Sequence, residues 1–196
     1  MEPDSQIIAI LRGITPGDAV EQIGCLLAHG ICDIEIPTNS PEWSVSIQNA
    51  KAVFGEAINL GAGTILTVEQ AILAAQMGAR FILTPNLNPA VIQAAKKSGL
   101  SVCAGVFTSS EIFTAIELGV DCLKIFPAGA LPVNYPQMIK GPLSQESHFS
   151  AVGGITIDNA RQYLRYYNSV GIGSSLYRAG QTVDITAGNC LKLFAN

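Results

Sequence analysis

"GLSVCAGVFTSSEIFTAIELGVDCLKIF", residues 99–126, reads as one strand–helix–strand unit. The apolar run 100–104 leads into a segment of helical period over 109–118, with Ser109 at its start, Gly119 where it must stop and a second apolar run over 120–126. Strand-like runs rich in Ile, Val and Leu on either side of a helix indicate a parallel sheet covered by helices.

The same rhythm extends in both directions. Strands are expected at 6–12, 31–36, 57–62, 80–84, 100–104, 120–126, 149–153 and 169–173. Helices are expected at 16–29, 42–53, 67–77, 89–98, 109–118, 133–140, 156–167 and 181–193. Their starts carry capping residues: Thr15 before Pro16, Ser40 before Pro41, Thr67 with Gln70 three residues on, and Ser109. Gly30, Gly78, Gly99 and Gly119 stand where helices should end. No linker or composition break interrupts the eight units, so residues 1–196 read as a single α/β domain. An open doubly wound sheet would want a Gly-rich dinucleotide turn after its first strand, and "ILRGITPG" (10–17) is not one. The count of eight predicts a closed (β/α)8 TIM barrel, a parallel eight-stranded sheet with outer helices.

Composition narrows the function. The chain has 196 residues, of which 48% are hydrophobic and 13% charged, with a formal net charge of −4. That suits one sizeable core, and the scattered Lys and Arg give no support to a nucleic-acid or membrane partner. The five cysteines, Cys25, Cys32, Cys103, Cys122 and Cys190, form no C-x-x-C and read as packing residues of a reduced, cytoplasmic protein. No His/Cys/carboxylate spacing indicates a metal site: His29 ends a helix and His148 precedes a strand.

The exception to this bland picture is Lys124, set in the apolar run "DCLKIF" (121–126). Lysine is seldom fully buried, because desolvating an unpartnered ammonium is costly. Alternation along the strand puts Cys122, Lys124 and Phe126 on one face and Leu123 and Ile125 on the other. The second strand repeats the parity, with Asp33, Glu35 and Pro37 opposite Ile34 and Ile36. Outer helices need the apolar face, so Lys124 and Glu35 fall inside, near the C-terminal mouth where this fold keeps its active sites. Strands two and six lie on opposite sides of an eight-stranded barrel, so a substrate between them touches both. A Lys–Glu pair can also be mere filler, contributing little net stability. Position at the functional end favours chemistry: burial disfavours the ammonium form and makes an interior lysine a source of carbonyl-attacking amine.

Other groups gather at the same end. "AVGGITIDN" (151–159) and "GIGSSLY" (171–177) follow strands seven and eight, whose loops often cradle phosphate. Arg12, ending strand one, suits a carboxylate, the alternative being a plain rim arginine, and Thr64 in "GAGT" is a candidate second donor for the same group. Amine, carboxylate, arginine and phosphate cradle together fit a phosphorylated 2-oxo acid.

"AILRGITP" (9–16), "DIEIPTNSP" (33–41), "GAGTIL" (61–66), "TPN" (84–86), "LKIFPA" (123–128), "AVGGIT" (151–156) and "GIGSSLYRAGQT" (171–182) resemble, in order, the class I aldolases of the 2-keto-3-deoxy-6-phosphogluconate (KDPG/KHG) family. "EIPTNSP" is similar to the branch acting on 2-dehydro-3-deoxy-6-phosphogalactonate. The gluconate branch has a Thr-Leu-Arg-type segment there, and here Pro37-Thr38-Asn39 lacks the arginine. The resemblance implies that Lys124 forms a Schiff base and that Glu35 moves protons through a water. It also implies that Arg12 and Thr64 hold the substrate carboxylate, and that Gly153, Gly154, Gly173 and Ser174 hold its phosphate. Products would be pyruvate and glyceraldehyde 3-phosphate, with no metal or organic cofactor, in a homotrimer. Gluconate-branch or dual specificity is the nearest alternative. A phosphate-sugar isomerase or epimerase of the same fold, with Glu35 as base, is a more distant one, and a non-catalytic ligand-binding relative is weakest. One departure is structural: Pro132 and Pro136 in "AGALPVNYPQMIKG" (128–141) predict an irregular sixth unit.

Overall fold

The computed structural model describes residues 6–143 and 147–195. Its strands are β1 (Ile7–Ile10), β2 (Asp33–Pro37), β3 (Asn59–Gly63), β4 (Phe81–Leu83), β5 (Ser101–Val106), β6 (Cys122–Ile125), β7 (Phe149–Val152) and β8 (Ser169–Ile172). They pair in chain order, and β8 returns to β1 to close the barrel. All eight pairings are parallel. The expected (β/α)8 barrel is the fold.

The helices are α1 (Pro16–Ala28), α2 (Trp43–Phe54), α3 (Val68–Gln76), α4 (Pro89–Lys97), α5 (Ser109–Glu117), α6 (Tyr135–Ile139), α7 (Ala160–Leu164) and α8 (Val183–Ala195). Thr15 and Thr67 cap α1 and α3 as expected, Thr67 in a reciprocal capping box with Gln70. Two expected caps are corrected. Ser109 is the first helical residue, and Thr108 caps α5 in a box with Glu111. The residue before α2 is Glu42, with no side-chain cap, and Ser40 turns to the β1 loop, as described below.

The sixth unit is irregular, as its prolines predict. A short 3-10 turn (Ala128–Ala130) follows β6, and Pro136 sits in the first turn of a five-residue α6, where a missing N–H is tolerated. The seventh departs without warning, since α7 is five residues long rather than the expected 156–167. Thr156 and Asn159 exchange side chain–backbone hydrogen bonds of 2.8 and 3.3 Å, the reciprocal pattern of a capping box, and Ala160 N–H donates to Thr156 O at 3.0 Å, so the expected start is capped although the regular helix is short.

Strand parity divides the core in two. Ala9, Leu11, Ile34, Ile36, Leu60, Ala62, Ile82, Val102, Ala104, Leu123, Ile125, Val170 and Ile172 point outward and merge with buried helix residues such as Ile23, Leu26, Ile47, Ile92 and Ile112. Each large aliphatic side chain so buried contributes about 1.5–3 kcal/mol relative to exposure. Inside the barrel a second cluster, Phe81, Leu83 and Cys103 with Cys122 packed against it, lines the lower lumen. The Cys122 thiol is pushed well up, first by its hydrogen bond with Cys103 and then by burial, which makes it a packing group rather than a reactive one. Among the described residues, no helix is long and apolar enough to cross a membrane.

Candidate active site

Lys124 and Glu35 lie inside the barrel, 5% and 1% exposed, on strands four apart. Room for Glu35, and a close backbone crossing beside Lys124, come from glycines on the neighbouring strands. Glu35 pairs in register with Gly61, and its carboxylate leans over Gly63 two residues on. A Cβ at Gly63 would lie 1.5 Å from Glu35 Oε1 and 2.1 Å from its Cδ. Lys124 pairs with Gly105, where a Cβ would lie 2.4 Å from the Pro85 carbonyl carbon. Thr84 fixes that crossing: its buried hydroxyl donates to Asn86 O (2.7 Å) and accepts from Gly105 N–H (3.1 Å).

The electrostatics are asymmetric. Burial pushes the Glu35 carboxyl above the ordinary carboxylate range, and the positive charges of Lys124 and then Arg12 work against that shift. Glu35 Oε2 is buried and has no hydrogen-bond partner among the described residues. A buried carboxylate oxygen left unpaired carries a desolvation cost, which a water or a substrate hydroxyl would relieve. Lys124 Nζ stands 4.8 Å from the centroid of the Phe126 ring. Phe126 in turn borders the β7 turn, since a Cβ at Gly153 would meet its ring at 3.1 Å.

Arg12 and Thr64 come together beside Glu35, with Arg12 Nη2 donating to Thr64 Oγ1 at 3.4 Å. Arg12 Nη1 donates to Asn39 Oδ1 at 2.6 Å. Thr64 has φ +56°, a left-handed conformation that a β-branched residue seldom adopts and that recurs where backbone is held for function. Thr38 supplies the holding bonds, its N–H to Gly63 O and its hydroxyl to Thr64 O, both 2.8 Å.

On the other side of the mouth, Gly153 and Gly154 both have positive φ (+87° and +84°). Gly129 N–H donates to Gly153 O at 2.8 Å, and a Cβ at Gly154 would meet Gly129 Cα at 3.1 Å, so two loop backbones lie in contact. Gly173 and Ser174 begin the turn after β8. Ser174 O accepts from Arg178 Nε at 2.9 Å, and Ile157 N–H donates to Ser175 Oγ at 3.1 Å, joining the β7 and β8 loops. The expected residues thus fall at one end of the barrel, in two groups either side of Lys124 and Glu35. Sequence reasoning missed the lining role of Gly63 and the contacts of Asn39 and Ser40. Among these, only the in-strand glycines of "NLGAG" carried a signal.

Gly63→Ala tests the crowding. Gly63 needs no left-handed backbone, so the added methyl acts chiefly on the Glu35 carboxylate. Steady-state assay is expected to show kcat lowered by about 100-fold or more, the scale of an ångström-size misplacement of a catalytic group. Unchanged turnover would mean that the Glu35 position is irrelevant.

A closed parallel barrel with a buried amine and carboxylate at its C-terminal mouth is the architecture of a barrel enzyme. The profile of the family described as "KDPG and KHG aldolase" matches residues 3–191, and the chain belongs to that family. The 2-dehydro-3-deoxy-6-phosphogalactonate aldolase of Escherichia coli (strain K12) is 43% identical over 182 residues, 92% of this chain and 89% of its own length. A solved native KDPGal structure superposes with a TM-score of 0.93 at 40% identity, covering 100% of this chain and 95% of that one. KDPG aldolase from Legionella pneumophila, with pyruvate captured at low pH as a covalent carbinolamine intermediate, gives 0.82 at 26% identity, covering 97% and 91%.

Proposed function

We propose that this chain is a class I aldolase that cleaves 2-dehydro-3-deoxy-6-phosphogalactonate to pyruvate and glyceraldehyde 3-phosphate, with Lys124 as nucleophile. The observation that carries the reading is the burial of Lys124 and Glu35 on opposite strands at the mouth, with one Glu35 oxygen unpartnered among the described residues. Similarity to the galactonate enzyme of E. coli and to a pyruvate-trapping relative supports it.

Lys124 Nζ adds to the C2 carbonyl, and loss of water leaves a protonated imine. Glu35, through a water, takes the proton of the C4 hydroxyl. The C3–C4 electron pair then flows into the iminium nitrogen, giving an enamine and releasing glyceraldehyde 3-phosphate. Glu35 returns the proton to C3, and hydrolysis of the imine frees pyruvate and regenerates the amine. A carboxyl with a raised pKa suits both directions of this transfer, because its two protonation states lie closer in free energy near neutral pH. Arg12 and Thr64 hold the carboxylate, and Gly153, Gly154, Gly173 and Ser174 hold the phosphate. The family resemblance extends the reading to a cytoplasmic homotrimer, for which light scattering should return three times the 20.6 kDa chain mass.

Steady-state assay of both C4 epimers tests the substrate. The galactonate epimer is expected to have the higher kcat/KM, by at least about tenfold, the discrimination expected of one well-placed hydroxyl contact. Equal values would assign dual specificity instead.

A further inference from the structure

Three consecutive residues after β2 each hold a different part of the arginine side of the mouth. Ser40 is buried, and its hydroxyl accepts from Gly13 N–H (2.9 Å) and donates to Leu11 O (3.4 Å), the backbone groups immediately flanking Arg12. Asn39 Oδ1 takes one guanidinium N–H at 2.6 Å. Thr38 fixes Thr64 in its left-handed conformation through the two bonds already described, and Thr64 Oγ1 accepts from the other terminal nitrogen of Arg12. Arg12 itself is exposed. An untethered arginine there would lose substantial rotamer freedom on taking up a ligand.

We infer that Thr38-Asn39-Ser40 is a template that preorganises Arg12 and Thr64 for the 2-oxo acid carboxylate, with Asn39 as the positioning residue for the guanidinium. The inference rests on the Arg12 role given under Proposed function. The chemistry of Asn39 fits that task. Its amide oxygen occupies one donor while leaving the full positive charge uncompensated. Of five guanidinium N–H groups, those facing away from Asn39 and Thr64 stay available for a bidentate contact. A carboxylate at position 39 would instead neutralise Arg12 and compete with the ligand.

The test compares two probes in the full chain, pyruvate and its uncharged methyl ester, by following adduct formation under cyanoborohydride with intact-mass detection. In Asn39→Ala the half-saturating pyruvate concentration is expected to rise about 3–10-fold, the cost of ordering one long side chain. In Asn39→Asp it is expected to rise more than about tenfold, because a charge-assisted pair must be broken. The maximal trapping rate and the response to methyl pyruvate should stay as in the wild type. The outcomes separate the two layers of the argument. Pyruvate dependence shifted by Arg12→Met but not by either Asn39 variant overturns the template and keeps the arginine role. No shift in Arg12→Met overturns the arginine role and the template with it. Equal weakening toward both probes makes Asn39 a general structural residue and also overturns it. No adduct in the wild type would sink the Schiff-base reading on which both layers stand.

Discussion

Lys124→Ala is expected to lose cleavage by on the order of 10³-fold or more, and with it any adduct trapped by borohydride in the presence of pyruvate. In the wild type, peptide mass spectrometry should find the reduced adduct on the peptide containing Lys124. The sharper variant is Lys124→Arg. It keeps a positive charge opposite Glu35 but offers no nucleophile, because a guanidinium stays protonated. If Lys124 acted only through its charge, as an isomerase or epimerase mechanism would have it, the arginine variant would retain a sizeable share of activity. The covalent mechanism expects it to trap nothing and to turn over no faster than Lys124→Ala. Lys124→Met, close in volume and uncharged, controls for packing in the lumen. Should the methionine variant melt like the wild type yet still form an adduct, the nucleophile lies elsewhere.

Glu35→Gln should separate the two halves of the reaction. Imine formation with pyruvate needs the amine of Lys124 and persists, whereas cleavage needs a base for the C4 hydroxyl and falls by about 10²–10⁴-fold, the usual contribution of a positioned general base. The pH profile gives a second readout. Burial raises the Glu35 pKa more than Lys124 and Arg12 lower it. The base form is the working form for cleavage, so kcat/KM should rise with pH through a value above the ordinary carboxylate range. That acid limb should vanish in Glu35→Gln. In Arg12→Met it should move upward, because one of the two opposing charges is removed. An acid limb identical in the wild type and Glu35→Gln would assign the base to another group.

How far the sequence reveals this molecule depends on the range of the interaction concerned. Alternation along a strand is local, so the outward set from Ala9 to Ile172 and the inward placement of Lys124 and Glu35 follow from residue order alone. Helix beginnings are less secure, because several hydroxyls compete for the same N–H groups. Thr108 rather than Ser109 caps α5, since Glu111 completes a box with it. Ser40 has the right chemistry for a cap, yet its hydroxyl is taken by Leu11 and Gly13, partners far away in sequence. The contacts of Asn39 with Arg12 and of Thr38 with Thr64 arise because β2 pairs with β1 on one side and β3 on the other, which brings three loops together from positions 26 to 27 residues apart.

Gly63 carries a consequence for anyone seeking a hardier version of this protein. A glycine in a strand with ordinary backbone angles is a natural target for replacement by alanine, which restricts the unfolded chain and can add about 0.4–1 kcal/mol of stability. Here the methyl group would enter the space of the Glu35 carboxylate. Thermostability screens that score only folded yield would favour Gly63→Ala where the side chain can yield, and would enrich for inactive barrels. Selection for robustness and selection for turnover thus pull in opposite directions at a position that bears no functional group.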